Sequence, residues 1–451
     1  MSDHPILALD LGTSSVRALV LDATAQPLFG ALARRPVAVA VDDDGAATLD
    51  APSYLAALVD CIDELAAAGR LDGVGLVAAS SQWHSVLPVN PAGAPVGPVL
   101  TWLDGRPVPA PDARRPADEH AFHRRTGCWW HPLYWTVRLP WLRDRLGAGV
   151  AGFRGLPEFV LGALLDEAPM SVSLASGTGL LDIAALRWDA EATELAGVRD
   201  GELPPLAPSD WRGRLRAPYA VRWPALGDAG WAPPTGDGAA SNVGSGAADA
   251  RRAGITVGTS AAVRVIQDAP HGQPLPDLPE TLWRYRVDHD RTVTGVAFSA
   301  GGNLYAWARR VLRLPEGPAL EAALEAVDLD ELPWADPRLG GDRPPGRAPA
   351  GSGELRRIGF ATSAVEILAA LMEGVCRQVA TGLAQIESTL DAPVDAMLGG
   401  GAVAASAWWR TEFERALAPR KVHHVAQPEV GATGAALVAI GRPEAPIGVD
   451  S

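Results

Sequence analysis

Gly-Thr-Ser follows directly on an apolar run twice in this chain. It does so first in ILALDLGTSSVRALVLD, and again in ITVGTSAAVRVIQ, where the second Gly stands 246 residues after the first. Each copy reads as strand, tight turn, strand. A chain of 451 residues is too long for one ordinary core, so two domains of about 200 residues are expected. The repeat places the cut between its copies, giving halves 1–246 and 247–451, each a sheet flanked by helices and opened by the same hairpin.

The first hairpin continues into a third strand at QPLFGALARRPV. A helix is predicted from Ser53, as N-cap, to Gly69, with Leu55, Leu58, Val59, Ile62 and Leu65 on one face. Strand character returns in LDGVGLVAAS. In the second half, Ser363 and Glu366 form a capping box that opens a long helix carrying Val365, Leu368, Leu371, Val375, Val379 and Ile386 inward. Met397-Leu398 leads into GGGA, and a further helix carries Trp408, Trp409, Phe413 and Leu417. Two stretches, 107–116 and 337–353, are rich in Pro with Asp, Gly or Arg and read as unpacked linkers.

A net charge of −14 leaves no basic patch for a nucleic-acid partner. No uninterrupted run of about 18 apolar residues occurs, so no membrane span is expected. The acidic start MSDHPILALD does not read as a secretory signal, which gives a cytoplasmic expectation. Cys61, Cys128 and Cys376 are odd in number and scattered, fitting buried thiols rather than disulfides or a metal site.

A turn of Gly-Thr-Ser offers backbone N–H groups, two hydroxyls and one residue without a Cβ, which together can cup phosphate oxygens. Alone, each copy is also ordinary turn chemistry. Two copies facing each other across a cleft would grip a triphosphate from both sides. The first copy adds Asp10, a carboxylate able to hold Mg²⁺ beside the phosphates, and Arg17, a cation; Val257 replaces the carboxylate in the second. Between the copies, PPTGDGAASNVGSG contains one isolated carboxylate, Asp237. At the floor of a cleft it could accept the proton of a hydroxyl attacking a γ-phosphate.

With these residues in place the chain resembles the FGGY carbohydrate kinases, nearly end to end. DLGTSSVRALVLD is similar to their first phosphate motif, SSQWHSVLPVNPAGAPVGPVLTWLDGR to their sugar-binding stretch, and TGDGAASNVGSG to the loop bearing their catalytic aspartate. VGTSAAVR resembles the second phosphate motif and GGGAVAASAWWRTEFERALAPRKVHHVAQPEVGATGAALVA the adenosine motif. The resemblance implies duplicated actin-like ATPase, ribonuclease H-like, α/β domains with an active site in the cleft between them. It implies ATP and Mg²⁺ as cofactors and a small sugar or sugar acid as partner, and it admits a homodimer. Carried over, Asp10 and Asp237 serve the metal, while Gly12, Thr13, Ser14, Arg17, Gly258, Thr259 and Ser260 serve the phosphates. Gly400, Gly401 and Ala402 lie against adenosine, Asp237 is the base, and Gln82, Trp83, His84, Trp102 and Arg106 join it around the sugar.

His84-Ser85, Asp237-Gly238, HRRTGCWWHPLYW and SLASGTGLLDIAALRWD resemble the gluconate branch, whose acid would need local cations. Arg106 and His84, with Arg124 and Arg125 nearby, are the candidates. Trp83 stands where the family usually has Met, Leu133-Tyr134-Trp135 where a Met-Ser-Pro-like segment is usual, and Asp342 where Glu is usual. Trp83, Trp129, Trp130 and Trp135 are bulky enough to reshape the pocket. Other readings are a kinase for a neutral ketose or polyol such as xylulose, or a catalytically weak actin-like regulatory ATP-binding protein. Gly73-Val-Gly75-Leu-Val-Ala78 formally fits a dinucleotide fingerprint, but it runs on as strand into SSQWHS.

Overall fold

The computed structural model describes residues 4–106, 114–343, 345 and 350–441. Its first sheet begins with β1 (Ile6–Leu11) and β2 (Ser15–Leu21), an antiparallel hairpin, continued by antiparallel β3 (Pro27–Pro36). Helix α1 (Ala51–Ala67) then crosses over to β4 (Leu76–Ser81), which runs parallel to β1. Short β5 (Gly230–Trp231) and β6 (Thr235–Gly236) both pair in parallel with β4 and end at helix α2 (Asp237–Gly244). Because β4 continues as strand where a helix should open, the formal dinucleotide fingerprint has no structural basis here.

The second sheet repeats this plan. β7 (Arg252–Val257) and β8 (Ala261–Asp268) form the hairpin, extended antiparallel through β10 (Arg291–Phe298) to β9 (Trp283–Arg286) at the edge. Helices α3 (Gly302–Val311) and α4 (Ala364–Glu387) precede β11 (Asp395–Gly399), which is parallel to β7. After short α5 (Gly401–Ala404) and α6 (Ala407–Leu417), β12 (Val422–His424) adds in parallel, and α7 (Val430–Ala439) follows. Both sheets have six strands. In each the hairpin's first strand lies between its antiparallel partner and a parallel strand reached through a helix, so the repeat in sequence is a repeat in topology.

Local chemistry explains most boundaries and shifts one. The N-cap of α1 is Asp50, not Ser53: its carboxylate accepts from the Ser53 N–H at 2.9 Å, three residues inside. Gly69 takes the left-handed conformation expected of it. The Ser363–Glu366 capping box forms. Helix α4 is long and apolar enough to cross a bilayer by length and composition, a property not foreseen from the absence of an unbroken apolar run. Here Leu368, Leu371, Val375, Val379 and Ile386 are buried in the second core. All three cysteines are buried free thiols. Residues 107–113 of the first linker lie outside the described residues. The described start of the second is organised, with Arg338 paired to Asp336 and the Gly341 carbonyl accepting from Ser299 Oγ.

Helix α7 packs not on the second sheet but on β1, β4 and α2. Ala432, Ala435, Ala436 and Leu437 share a core with Ile6, Ala8 and Ala78. The closest approach is backbone to backbone. A Cβ at Gly434 would lie 1.7 Å from the Ala240 carbonyl oxygen, and one at Gly244 1.9 Å from that of Val430.

Candidate active site

The second Gly-Thr-Ser turn stands between two cavities. Gly258 and Thr259 line one of about 750 Å³, and Ser260 lines the other, of about 200 Å³. In the turn, Gly258 N–H donates to the Ser260 carbonyl at 3.0 Å. The Gly258 and Thr259 carbonyls accept from Gly302 and Asn303 at the start of α3, at 2.7 and 3.1 Å. The larger cavity runs along Asn303, Ala306 and Arg310 of α3, with Tyr305, Trp307 and Trp409 as aromatic walls. Gly401 and Ala402 line it. Gly400 does not; at φ +113° its missing side chain lets the chain pass β7, where a Cβ would sit 2.3 Å from the Val257 carbonyl oxygen.

In the first turn, the Gly12 carbonyl accepts from the Tyr54 hydroxyl at 2.9 Å, Thr13 is half-buried and Ser14 is exposed. Asp10 accepts from Ser80 Oγ on β4 at 2.7 Å and lies 3.7 Å from Arg17 Nη1. Arg17 itself pairs with Glu429 at 2.6 Å, so its charge is already met. Burial raises the Asp10 pKa above the usual carboxylate range; Ser80 and Arg17 oppose this and Glu429 adds to it. Asp237, at the first position of α2, is pushed up to about 6. Burial is the main cause, Asp10 adds to it, and Arg264 with the Gly238 and Trp83 backbone N–H groups opposes it.

The two half-buried carboxylates, each disfavoured in its charged form by desolvation and Asp237 also by the charge of Asp10, fit a divalent cation, which would relieve both. Among the described residues no cluster of three or more metal-ligating side chains occurs. The remaining ligands would therefore be water and phosphate oxygens, as suits Mg²⁺.

The smaller cavity is mostly aromatic, lined by Trp83, Trp102, Trp129, Tyr134, Trp283 and Tyr285, with His84, Asp237, Arg264 and Arg343 as its ionisable groups. His84 sits at φ +67° with Nδ1 2.6 Å from the Gly177 carbonyl. A carbonyl only accepts, so Nδ1 carries the proton and Nε2 presents a lone pair. Burial drives its pKa to about 3, so the ring is neutral and cannot serve as the cation expected of it.

Arg106 is also unavailable. Its Nε and Nη2 donate to Asp104 at 3.0 and 2.6 Å, it lies over the Trp141 ring, and it does not line the cavity. Arg125 is taken by Asp189 and Glu191, and Arg124 is exposed outside the lining. Gln82 is buried away from the lining, and neither of its amide atoms is hydrogen-bonded among the described residues. Of the bulky residues, Trp83 and Trp129 line the cavity while Trp130 and Trp135 are buried elsewhere.

The cations that do face the cavity are Arg264 and Arg343. Among the described residues Arg264 Nε has no hydrogen-bond partner. Arg343 lies 4.8 Å over the Trp102 ring and forms no salt bridge among the described residues. In sequence, Arg264 only closes the second hairpin motif VGTSAAVR, and Arg343 follows Asp342 in a Pro-rich stretch with no motif of its own, so neither carries a local signal of its place in the cavity.

Models of the FGGY family of carbohydrate kinases match this chain at residues 5–228 for the N-terminal domain and 253–440 for the C-terminal domain. A gluconokinase of Bacillus subtilis is 26% identical over 354 residues, 75% of this chain and 68% of the relative. A xylulose kinase of Klebsiella pneumoniae is also 26% identical, covering 90% of this chain and 83% of the relative. The crystal structure of a gluconate kinase from Lactobacillus acidophilus superposes with a TM-score of 0.86 at 22% identity, covering 97% of this chain and 89% of that one.

Proposed function

Because the chain belongs to the FGGY family of carbohydrate kinases, we propose that it moves the γ-phosphoryl group of ATP to a hydroxyl of a sugar acid, gluconate first among candidates. One observation carries the acid reading: the acceptor cavity holds two arginines, Arg264 and Arg343, against the single carboxylate Asp237. Desolvation lowers the pKa of both guanidiniums, so each gains from an anionic neighbour. A carboxylate entering a partly dry pocket needs such partners.

In this reading ATP occupies the larger cavity with its adenosine against Gly401 and Ala402 and its phosphates on the turn Gly258–Ser260. The turn's position between the cavities aims the γ-phosphate at the acceptor. His84 Nε2 accepts from one acceptor hydroxyl. Asp237 takes the proton of the attacking hydroxyl as its oxygen bonds to the γ-phosphorus and the bond to the β-phosphate oxygen breaks, leaving ADP. Mg²⁺, held by Asp10 and Asp237 with phosphate oxygens, would neutralise charge on the triphosphate. Closure of the two halves would exclude water from this transfer.

A second reading, a neutral ketose as acceptor, is favoured by the broad match to the xylulose kinase. ADP release measured with aldonates, ketopentoses, ketohexoses and polyols separates the two. Gluconate or a close aldonate should give the highest kcat/KM. Arg343→Ala should raise the KM of that acid about 10- to 100-fold, the range of a lost charged hydrogen bond, and leave that of a neutral polyol nearly unchanged. A preferred neutral ketose indifferent to Arg343→Ala would overturn the acid reading, and ADP release independent of every acceptor would overturn the kinase one.

A further inference from the structure

The indole of Trp83 occupies a slot walled by three glycines. A Cβ at Gly236 would stand 2.1 Å from its Cε2 and Nε1, one at Gly238 2.5 Å from its Cζ3, and one at Gly177 2.7 Å from its Cδ1. Real Cβ atoms do not come so near, and a packed indole, unlike the end of a flexible chain, cannot step aside. Its Nε1 donates to the Ser173 carbonyl at 2.9 Å, and the Ser173 hydroxyl accepts from Gly236 N–H at 3.0 Å. On its other side the ring meets Tyr285 and Trp283 edge-on, with centroids 5.0 and 5.9 Å away. The indole is thus clamped between the aromatic floor of the acceptor cavity and the first turn of α2, which carries Asp237.

We infer that Trp83 and Gly238 are a matched pair that sets the depth of the acceptor cavity and the seat of Asp237. Trp83 blocks the space below the carboxylate, limiting the acceptor to short chains, and glycine at 238 is required to admit the ring. The length limit rests on the proposed acceptor site; the pairing itself rests on the contacts alone.

A kinetic double-mutant cycle tests it, using Trp83→Met, Gly238→Ala and the double variant. ATP is supplied with aldonates of four to seven carbons and with matching neutral polyols, and thermal unfolding is followed in parallel. Gly238→Ala alone should cut kcat by about 30-fold or more by displacing the ring and with it Asp237. In the Trp83→Met background the same alanine should cost under about threefold in kcat, a departure from additivity expected only of touching residues. It should still raise the KM for acids, because the new Cβ also lies 2.8 Å from Arg264 Nε. Trp83→Met alone should shift the best acceptor to a longer chain.

Should Gly238→Ala fail to fold, Gly236→Ala in both backgrounds reads the same coupling. Equal losses with and without the indole would overturn the pairing, and an unchanged ranking of chain lengths in Trp83→Met would overturn the depth limit. A neutral best acceptor would count against the sugar-acid proposal alone, since the cycle can be run on that acceptor.

Discussion

A carboxylate in the first turn of a helix is ordinarily easy to ionise, because the free N–H groups and the dipole favour negative charge. Asp237 has that position, accepts from Gly238 N–H at 2.8 Å, and is nevertheless pushed up to about 6 by burial. In its proposed role as base it must be ionised, so kcat/KM should fall about tenfold per unit as pH drops below 6. Its ordinary value is 3.8, and a group raised on folding contributes stability below its unfolded pKa that is lost as pH rises through the folded one. Asp237→Asn should therefore reduce turnover by about 10²- to 10⁴-fold while raising the melting temperature of the nucleotide-free protein at pH 7.5. That gain should vanish toward pH 4. A variant no more stable than the parent at pH 7.5 would mean the charge is well solvated. Asp237 and Asp10 were singled out in the sequence because each stands beside a glycine turn whose chemistry is local. Arg343, Tyr134 and Tyr285 were not, since only the fold carries them to Asp237. Arg106 misled for a readable reason: Asp104, two residues away, takes its charge.

Among the elements, the hairpins were readable from alternation and the long helix α4 from its capping box, whereas the start of α1 was misplaced because Asp50 and Ser53 are both good caps and only the backbone decides. The crossing of α2 and α7 left a fainter trace, glycines at 244 and 434 within small-residue helices, whose meaning depends on two segments almost 200 residues apart. Their contact demands glycine on both sides, since any Cβ would enter a carbonyl oxygen of the partner helix. Overpacking ordinarily costs about 1–3 kcal/mol, and a clash with backbone on both sides belongs at or beyond the top of that range. Gly434→Ala should lower the melting temperature by about 3 °C or more, on a scale of about 1 °C per kcal/mol for a chain of 451 residues that unfolds as one unit. Gly441→Ala, at the helix's far end with nothing within 4 Å but at φ +68°, should cost only the strain of a left-handed alanine. Comparable losses at the two positions would show that the crossing tolerates separation.

Division of the chain at 246 follows the sequence repeat but not the packing. Helix α7, from the very end of the second half, supplies Ala432, Ala435, Ala436 and Leu437 to the core built on β1 and β4. Trp283, Tyr285, Val287 and Val293, also from the second half, enter that core too. A fragment 1–246 would therefore present one face of β1, β4 and α2 to water, an apolar surface larger than a soluble fold ordinarily tolerates. The same contacts place Glu429, at the head of α7, against Arg17, the partner of Asp10, so the last helix among the described residues is joined to the hairpin of the first Gly-Thr-Ser turn. The proposed closure of the halves would then pivot about the α2–α7 crossing rather than break it. Fragments 1–246 and 247–451 expressed separately should each lack a cooperative thermal transition, and mixing or co-expression should restore one transition together with ATP-dependent turnover. The intact chain should unfold in a single step by both circular dichroism and tryptophan fluorescence. A fragment 1–246 that melts cooperatively at the temperature of the whole protein would show that α7 is an accessory to the first half and not part of its core.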